Sequence, residues 1–404
     1  MAKIYKKQVV EDVNVYNAAL ERFRYLFDNF DKVVVSFSGG KDSTVCLNLA
    51  LQIAKEKNKL PLDVYFIDEE AIHPETIEYV ERVMRHPDVR LKWLCVEIKH
   101  RNACSRKEPY WHCWEKEAKD KWVRPLPPHD CVINDLKGFE KGATSPEIAQ
   151  LIYGPECGTV ADVRGIRADE SLRRYQSVSL KAKNNWIASP SGSYRVGRPK
   201  AKHIYPVSPI YDWTTFDVWT APRMFGWDYN RAYDLMAMVG ISPSVQRVCP
   251  PFGEEPLRGL WMYSVCWPSL WHKMINRVHG AATAGRYAQT ELYGFGKLSP
   301  PTNMSWREWT YSLLDLYPPA LRGIVSKNIA GLIEAHNEKT NRPLHETEPD
   351  ALTGLSWKTL AMIANRADLK GRRKGGIHAK VNTSKNKLYL ESNFHSEEKD
   401  EARY

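Results

Sequence analysis

Nine residues near the amino end decide the fold: Ser36-Phe37-Ser38-Gly39-Gly40-Lys41-Asp42-Ser43-Thr44. An apolar run, Val33-Val34-Val35, comes directly before them, and a helix-like segment follows from Val45. The pattern predicts a strand that turns through two glycines into the start of a helix. Glycines let the backbone approach an anion closely, and the N–H groups of a first helical turn point at it. The stretch therefore predicts a phosphate-binding loop.

The side chains of this stretch suit the same ligand. Lys41 adds a full positive charge to the partial positive charge of the helix start. Ser38, Ser43 and Thr44 add hydroxyl donors. The adjacent glycines exclude the Walker A pattern, which places four residues between its first glycine and its Gly-Lys-Ser/Thr end. The alternative without a ligand is a tight strand-to-helix turn capped by Ser38 or Asp42.

Helices and strands alternate around the loop. The predicted elements, beginning with a helix, are residues 13–30, 32–37, 43–57, 62–67, 74–83 and 91–96. This alternation predicts an α/β fold, a Rossmann-like parallel sheet with helices on both faces. Ligands of such sheets bind beyond the carboxyl ends of the strands. Asp68, which follows the second strand, is therefore expected near the nucleoside, with capping of a helix as the alternative.

A second cluster follows a further predicted strand at residues 159–167. It is Arg164-Gly165-Ile166-Arg167-Ala168-Asp169-Glu170-Ser171-Leu172-Arg173-Arg174. Arginines at a strand end can fork onto phosphate or sulfate oxygens through paired hydrogen bonds. Asp169 and Glu170 either hold these arginines or bind Mg²⁺ that neutralises a triphosphate. A solvated, salt-bridged helix start is the alternative.

Composition bounds the class of protein. The chain has 404 residues, 43% of them apolar, which suffices for a large core in two or three domains. No window approaches the ~18 unbroken apolar residues of a membrane span, and the charged N-terminal segment lacks a signal-peptide pattern. Eight cysteines are scattered singly, as in reduced cytosolic proteins. We expect a cytoplasmic protein without a membrane partner, and the net charge of +10 favours polyanionic ligands.

Changes in pattern along the chain predict three segments. Residues 1–213 form the predicted nucleotide-binding α/β domain, with an irregular insertion at about 100–158 that covers the cleft. Residues 214–365 are predicted to form a smaller helical C-terminal domain. Residues 366–404 form a basic, polar tail that need not be ordered.

Five motifs occur in an order that resembles the phosphoadenosine phosphosulfate reductase superfamily. They are Ser38-Gly39-Gly40-Lys41-Asp42-Ser43-Thr44, Phe66-Ile67-Asp68, Pro74-Glu75-Thr76, Gly165-Ile166-Arg167-Ala168-Asp169-Glu170-Ser171 and Pro209-Ile210-Tyr211-Asp212-Trp213-Thr214. The resemblance implies a PP-loop of the adenine-nucleotide alpha-hydrolase type. Such loops hold the pyrophosphate of ATP or the phosphosulfate of an activated sulfate nucleotide. The segment Cys249-Pro250-Pro251-Phe252-Gly253 resembles a narrower branch of large members, the immunoglobulin-binding regulator A type, often encoded by phages or genomic islands beside a ParB-like partner.

One departure from the superfamily pattern bears on the chemistry. The true reductases use a cysteine in a C-terminal Glu-Cys-Gly-type motif, whereas this chain has no cysteine after Cys266. Glu156-Cys157-Gly158 does occur, but it lies upstream of the Arg164 cluster. Sulfonucleotide reduction with thioredoxin-like help is therefore kept as an alternative. A nucleotide-sensing regulator that does not catalyse, working with a ParB-like partner or DNA, is a third hypothesis.

The leading hypothesis is an enzyme that cleaves ATP between its α and β phosphates and adenylylates a nucleic acid or a partner protein. The predicted catalytic groups act by positioning and electrostatics and are Lys41, Asp42, Arg164 and Arg167. Asp42 and Glu170 are the candidate Mg²⁺ ligands. The predicted contacts to the adenine nucleotide are Ser36, Ser38, Gly39, Gly40, Lys41, Asp42, Ser43, Thr44, Asp68, Gly165, Asp169, Glu170 and Arg173.

Two weaker signals complete the pattern. Cysteines and histidines of the insertion could hold zinc or an iron–sulfur cluster: Cys104, His112, Cys113, His129 and Cys131. No Cys-x₂-Cys spacing is present, so buried thiols are the alternative. Basic residues at 181–202, with Trp186 and Tyr194 between them, suit a nucleic-acid backbone. A solvated lid over the cleft is the alternative there.

Overall fold

The structure is a computed structural model that describes residues 14–140, 148–171, 174–175, 178, 186–190, 202–249, 251–253, 256–287 and 300–365. It divides into two compact units. The first unit contains Met1–Cys104 and Tyr110–Gly285, and the second contains Ser105–Pro109 and Arg286–Tyr404. The predicted basic tail, residues 366–404, lies outside the described residues.

A six-stranded parallel sheet forms the centre of the first unit. Its strands are β1 (Lys32–Phe37), β2 (Leu62–Ile67), β3 (Val89–Leu94), β6 (Val132–Ile133), β7 (Val160–Val163) and β8 (Ile204–Val207). Their order is β6-β3-β2-β1-β7-β8, and each neighbouring pair is parallel. Val35 of β1 lies opposite Val64 and Val163 and is fully buried. The predicted Rossmann-like α/β fold is confirmed.

Helix α1 (Val15–Asn29) precedes β1, and crossover helices then connect the strands as the sequence pattern predicts. The crossover helices are α2 (Lys41–Glu56), α3 (Pro74–Met84) and the short α4 (Ile148–Ile152). Helix α1 buries Ala19, Leu20, Phe23 and Leu26, a spacing that places apolar side chains on one face. Helix α3 begins with Pro74, whose fixed φ suits a first helical position.

The predicted insertion contains more regular structure than its sequence suggests. It holds a β-hairpin, β4 (Lys99–Arg101) and β5 (Tyr110–His112), and a 3₁₀ helix (Lys116–Lys121). It also supplies edge strand β6, which pairs with β3. The segment whose sequence pattern is irregular therefore contains short regular elements. A two-residue strand is too short to produce a periodic pattern, so only its pairing with β3 reveals it.

Among the described residues, five α-helices follow the sheet within or at the end of the first unit: α5 (Thr215–Phe225), α6 (Ala232–Met238), α7 (Trp261–Cys266), α8 (Pro268–Arg277) and α9 (Ala281–Tyr287). The sequence places a domain boundary after residue 213, whereas the compact units divide at residue 285. Side chains from this region bond to the sheet domain, as the Trp267 indole does to Glu75 at 2.7 Å. Such contacts hold the helices in the first unit.

The second unit has its own core. Helices α10 (Trp306–Asp315), α11 (Pro319–Asn337) and α12 (Trp357–Asn365) bury Leu313, Leu332 and Leu360. His336 is buried there and is satisfied on both ring nitrogens, by Thr353 and by the carbonyl of Arg342. Across both units, none of the helices among the described residues has the length and apolar character that crossing a bilayer demands.

Candidate functional site

The phosphate loop lies where β1 ends and α2 begins. Gly39 has φ +70°, a left-handed conformation that favours glycine. A Cβ at Gly39 would lie 2.8 Å from a methyl group of Thr76, so space as well as conformation requires glycine. Gly40 is the N-cap of α2 and has no side-chain cap. The loop therefore leads directly into a helix N-terminus that lacks a side-chain cap from its N-cap residue, an arrangement that suits an anion.

The hydroxyl groups of the loop fix its shape. Ser43 and Thr44 donate to the carbonyl oxygen of Gly40 at 2.9 and 3.0 Å. The Ser38 backbone N–H donates to the Ser43 hydroxyl at 3.2 Å, and the Gly40 N–H donates to the Ser38 hydroxyl at 3.3 Å. The Tyr79 hydroxyl donates to Thr44 at 3.0 Å. These bonds fix the conformation of the loop, which limits the ordering cost of binding a ligand.

Lys41 is buried at the start of α2 in an environment that disfavours its charge. Burial lowers the pKa of its ammonium group; Asp42 opposes this effect, while Arg167, Arg247 and Arg174 add to it. The Lys41 Nζ donates to the carbonyl oxygen of Gln246 at 2.9 Å. A bound anion would restore the pKa of Lys41, because a nearby negative charge favours the ammonium form.

The second sequence cluster lies directly against the phosphate loop. A Cβ at Gly165 would lie 2.8–2.9 Å from Asp42 and Ser43, so this glycine permits the close approach of the two segments. Arg167 is 1% exposed and forms an ion pair with Asp42. Its guanidinium also lies 3.6 Å from Asp169. The structure thus brings together the two clusters that the sequence singles out.

Other predicted site residues have defined partners at the same edge of the sheet. Arg164 donates to the buried carboxylate of Asp162 at 2.6 and 2.8 Å. Glu170 pairs with Arg174. Ser36 lies within β1 opposite Tyr65, before the loop. Arg173 lies outside the described residues.

Asp68 follows β2 but is enclosed by protein. It is 0% exposed, and its carboxylate accepts hydrogen bonds from the Trp93 indole at 2.7 Å and from Arg124. Its backbone carbonyl accepts from the Trp114 indole at 2.7 Å. The alternative role as a helix N-cap does not apply, because His73 is the N-cap of α3. These contacts fix Asp68 between the sheet and the insertion.

Three residues of the helical region complete the loop, and sequence reasoning missed them. The Lys41 backbone N–H donates to the Tyr233 hydroxyl at 3.0 Å. The Asn230 amide donates to the Gly39 carbonyl at 2.9 Å and to Thr76 at 2.8 Å. Gln246 supplies the carbonyl that accepts from Lys41. No local pattern marks these positions, because each lies about 190 or more residues from its partner in the chain.

The cysteines of the first unit are mostly unsuited to nucleophilic chemistry. Burial raises the pKa of Cys104 to about 12 and raises those of Cys46, Cys95 and Cys113 further, so these thiols stay protonated. Cys157 directly precedes Gly158, whose Cα faces Asp31 ahead of β1. It therefore lies at the amino edge of the sheet, away from the phosphate loop.

The cysteine and histidine cluster of the insertion does not form as the sequence suggests. The Cys113 thiol donates to the carbonyls of Val96 and Ile98 at 3.6 Å. His129 pairs with Glu81 at 3.0 Å. His112 instead lies near two carboxylates, Glu97 and Glu115. The buried-thiol alternative describes Cys113 better than a zinc or iron–sulfur ligand.

Comparison with protein families gives two matches. The phosphoadenosine phosphosulfate reductase domain matches residues 32–237, just over half of the chain, including the phosphate loop and the second cluster. A domain of unknown function, DUF3440, matches residues 240–342.

The curated relatives are themselves uncharacterized proteins. YbdN of Escherichia coli (strain K12) is 32% identical over 315 residues, covering 76% of this chain and 76% of its own. A protein of Methanocaldococcus jannaschii is 27% identical over 203 residues, covering 49% of this chain and 38% of its own.

Solved structures show weaker likeness. The FMN adenylyltransferase of Candida glabrata is 15% identical, with a TM-score of 0.33 over 56% of this chain and 62% of that chain. The phosphoadenylyl-sulfate reductase of Candida auris, a phosphate complex, is 19% identical, with a TM-score of 0.32 over 55% and 85% of the two chains. The U34-tRNA thiolase NcsA of Methanococcus maripaludis, with its [4Fe–4S] cluster, is 13% identical, with a TM-score of 0.29 over 72% and 83%. The matched part spans less than two thirds of the first of these chains.

Proposed function

The chain belongs to the phosphoadenosine phosphosulfate reductase family, and we propose that it binds ATP and cleaves it between the α and β phosphates. An acceptor oxygen attacks the α-phosphorus, the bond to the bridging oxygen breaks, and pyrophosphate leaves. The products are pyrophosphate and an adenylylated acceptor, or AMP when water is the acceptor. The acceptor is a nucleic acid or a partner protein.

One observation carries the proposal. Lys41 is buried beside the N-terminus of a 16-residue helix, and its surroundings, including Arg167, disfavour its charge. An anionic ligand relieves this penalty, and N–H groups at the start of α2 can donate to the same anion. The leaving pyrophosphate carries several negative charges, so it suits this position. A purely structural lysine would instead be expected in an environment that favours its ammonium form.

The second cluster supplies the groups expected near the α-phosphate. Arg167 reaches the start of α2, since it pairs with Asp42. In our proposal, Arg167 and Arg164 stabilise negative charge on the phosphoryl oxygens during transfer. Arg164 is oriented by Asp162, which accepts two of its hydrogen bonds. No protein nucleophile is needed, because positioning and electrostatics suffice for such a displacement.

The proposed Mg²⁺ ligands, Asp42 and Glu170, do not offer a ready site. Asp42 is engaged by Arg167, and Glu170 is engaged by Arg174. Carboxylates held by arginines give up part of that pairing before they bind a cation. The triphosphate itself and water are the expected Mg²⁺ ligands, and no step proposed here depends on Asp42 or Glu170 binding the ion.

Product analysis tests the proposal. The full chain is incubated with ATP and Mg²⁺, with and without candidate acceptors, and nucleotides are separated by chromatography. AMP and pyrophosphate are expected, with loss of both in Lys41→Ala. Release of ADP and phosphate would contradict the proposed bond cleavage. Tight ATP binding without products would favour the nucleotide-sensing regulator with a ParB-like partner.

A second candidate function is sulfonucleotide reduction, and the position of Cys249 favours it. Val248 packs against Gly40, since a Cβ at Gly40 would lie 3.2 Å from a Val248 methyl group. Burial raises the pKa of Tyr233, which bonds to the loop, and the nearby Cys249 adds to this effect. A thiolate here could attack the sulfonate sulfur of phosphoadenosine phosphosulfate and release adenosine bisphosphate. An external dithiol would then release sulfite and become a disulfide.

Sulfite release separates the two candidates. The second function requires dithiol-dependent sulfite production that Cys249→Ser abolishes and that the matched variant Cys157→Ser retains. ATP cleavage, in contrast, should persist in both variants, because it uses no thiol.

A further inference from the structure

Three side chains, two in the insertion and one in the segment just before it, come together away from the phosphate loop. Glu97, His112 and Glu115 each offer one ligand atom, and these atoms lie within 4.8 Å of one another. All three side chains are half-buried. We propose that they bind one divalent first-row transition-metal ion, with Zn²⁺ as the reference ion.

The hairpin brings two of these ligands close together. Lys99 lies opposite His112 in the antiparallel register of β4 and β5. The pairing continues past the strands, since the Cys113 N–H donates to the Ile98 carbonyl at 3.1 Å. Glu97 lies two residues before Lys99, in a turn in which the Ile98 N–H donates to the Val96 carbonyl at 2.7 Å. The pairing of Lys99 with His112 therefore keeps the long side chain of Glu97 within reach of the imidazole.

A left-handed turn directs the third ligand towards the other two. Trp114 has φ +55°, a conformation that is disfavoured for a bulky residue. Two hydrogen bonds hold it there: its N–H donates to Glu70 at 2.7 Å, and its indole donates to the Asp68 carbonyl at 2.7 Å. Glu115 follows immediately. Backbone strain that surrounding hydrogen bonds maintain is typical of functional sites. Here the held conformation of Trp114 fixes the backbone position of Glu115.

Arg277 of α8 contacts two of the three proposed ligands, His112 and Glu115. Its guanidinium donates to the His112 carbonyl at 2.5 Å and lies 3.7 Å from the Glu115 carboxylate. Arg277 also pairs with Glu70, which is fully buried and has φ +61°. The bond to its carbonyl restrains the backbone of His112, whereas Glu115 gives up part of its pairing with Arg277 when it binds the ion.

The ligand set selects the class of ion. A neutral imidazole favours transition metals such as Zn²⁺, Co²⁺, Fe²⁺ and Mn²⁺, whereas Mg²⁺ and Ca²⁺ prefer oxygen ligands alone. Ligands about 2.1 Å from a tetrahedral ion lie about 3.4 Å apart, so the three side chains need small rotations to close on it. Three protein ligands leave a coordination position for water or substrate, the pattern of a catalytic rather than a structural zinc site.

Cobalt binding tests the proposal directly. Tag-free full-length chain is stripped with a chelator, titrated with Co²⁺ and followed by visible absorption, and bound Zn²⁺ is then counted by mass spectrometry after gel filtration. We expect one ion per chain, d–d bands from Co²⁺, and their loss on addition of Zn²⁺. Glu97→Gln, His112→Ala and Glu115→Gln should each weaken Zn²⁺ binding at least tenfold.

Matched variants and a melting experiment keep the result interpretable. His129→Ala and Cys131→Ser change two other candidate ligands of the insertion and should retain the ion. Zn²⁺ should raise the melting temperature of the wild type but not that of Glu97→Gln, whose near-isosteric change preserves the fold. The proposal is overturned if the wild type binds no stoichiometric ion, if all three ligand variants keep it, or if Cys131→Ser loses it.

Discussion

The two edges of the central sheet treat buried charge in opposite ways. At the amino edge, Lys32 and Arg90 both bond to Asp63 at 2.6 Å. Burial acts to raise the pKa of Asp63, but the hydrogen bonds from Arg90 and Lys32 leave it below its usual value. At the carboxyl edge, burial and nearby arginines lower the pKa of Lys41. The first environment favours the charge that it contains, and the second does not.

This difference separates a structural charge cluster from a binding site. A carboxylate between two cations is satisfied by the protein itself. The ammonium group of Lys41, which burial disfavours and Asp42 only partly compensates, is stabilised when an anion binds. Lys32 and Lys41 lie at the two edges of the same sheet and therefore provide a matched pair. Substitution of Lys41 should impair nucleotide binding and cleavage, whereas substitution of Lys32 should not.

The largest effect is expected at Lys41. Lys41→Ala should reduce ATP cleavage by roughly 10²–10³-fold, because it removes a preorganised charge from the leaving group. Initial rates of pyrophosphate release measure this. Lys32→Met, the matched control at the amino edge, should keep the rate within about twofold. Equal losses of the ATP cleavage rate in Lys41→Ala and Lys32→Met would contradict the proposed difference between the two edges of the sheet.

Arg167 gives the next largest effect. Arg167→Lys keeps the charge but loses the planar fork that engages Asp42 and the proposed phosphoryl oxygens. We expect kcat to fall by roughly 10- to 10²-fold with a smaller change in KM. Arg90→Lys serves as the control, because Arg90 bonds to Asp63 at the other edge. A rise in KM alone would assign Arg167 to ground-state binding.

Asp63 should affect stability rather than turnover. Asp63→Asn should lower the free energy of unfolding by about 2 kcal/mol, because it removes the charge that two cations share. Since the folded-state pKa of Asp63 is lowered, its contribution is present above the unfolded value and lost as pH falls through the folded value. Urea unfolding of the wild type and of Asp63→Asn at neutral and acidic pH measures this contribution. A difference in the free energy of unfolding that persists at strongly acidic pH would contradict the prediction.

The smallest effect is a pH dependence of anion binding. The pKa of Lys41 is lowered in the free protein. The affinity for pyrophosphate should therefore begin to fall at a lower pH than it would if Lys41 had the usual pKa of a lysine. Binding above that pKa should take up a proton, which calorimetry in buffers of different ionisation heat detects. Lys41→Arg should abolish this dependence of pyrophosphate affinity on pH, since arginine stays charged. An unchanged pH dependence in Lys41→Arg would show that another group titrates.

Much of the fold follows from local sequence. β1 and β2 lie at the predicted residues, and α3 begins at the predicted Pro74. Apolar runs and glycines act over a few residues, so they reveal these elements directly. Edge strand β6 is not predictable from sequence, because two residues are too few to show a hydrophobic periodicity. The compact units divide at residue 285 rather than after 213, because long-range contacts group the intervening helices with the sheet.

The site was only partly predictable. Proximity of the Lys41 and Arg167 segments follows from the rule that parallel strands end at one edge, and the ion pair with Asp42 is consistent with it. Asn230 and Tyr233 were not predictable, because they reach the loop only through tertiary packing. The position of Asp68 after β2 predicted proximity to the nucleoside, yet its carboxylate is enclosed by Trp93 and Arg124.

Binding of α,β-methylene ATP, which cannot be cleaved at the proposed bond, tests the central claim most directly. Isothermal calorimetry should show one molecule bound per wild-type chain, affinity weakened at least tenfold in Lys41→Ala, and affinity unchanged in Lys32→Met. Equal affinities in all three proteins, or no binding to the wild type, would contradict the assignment of the loop as the nucleotide site.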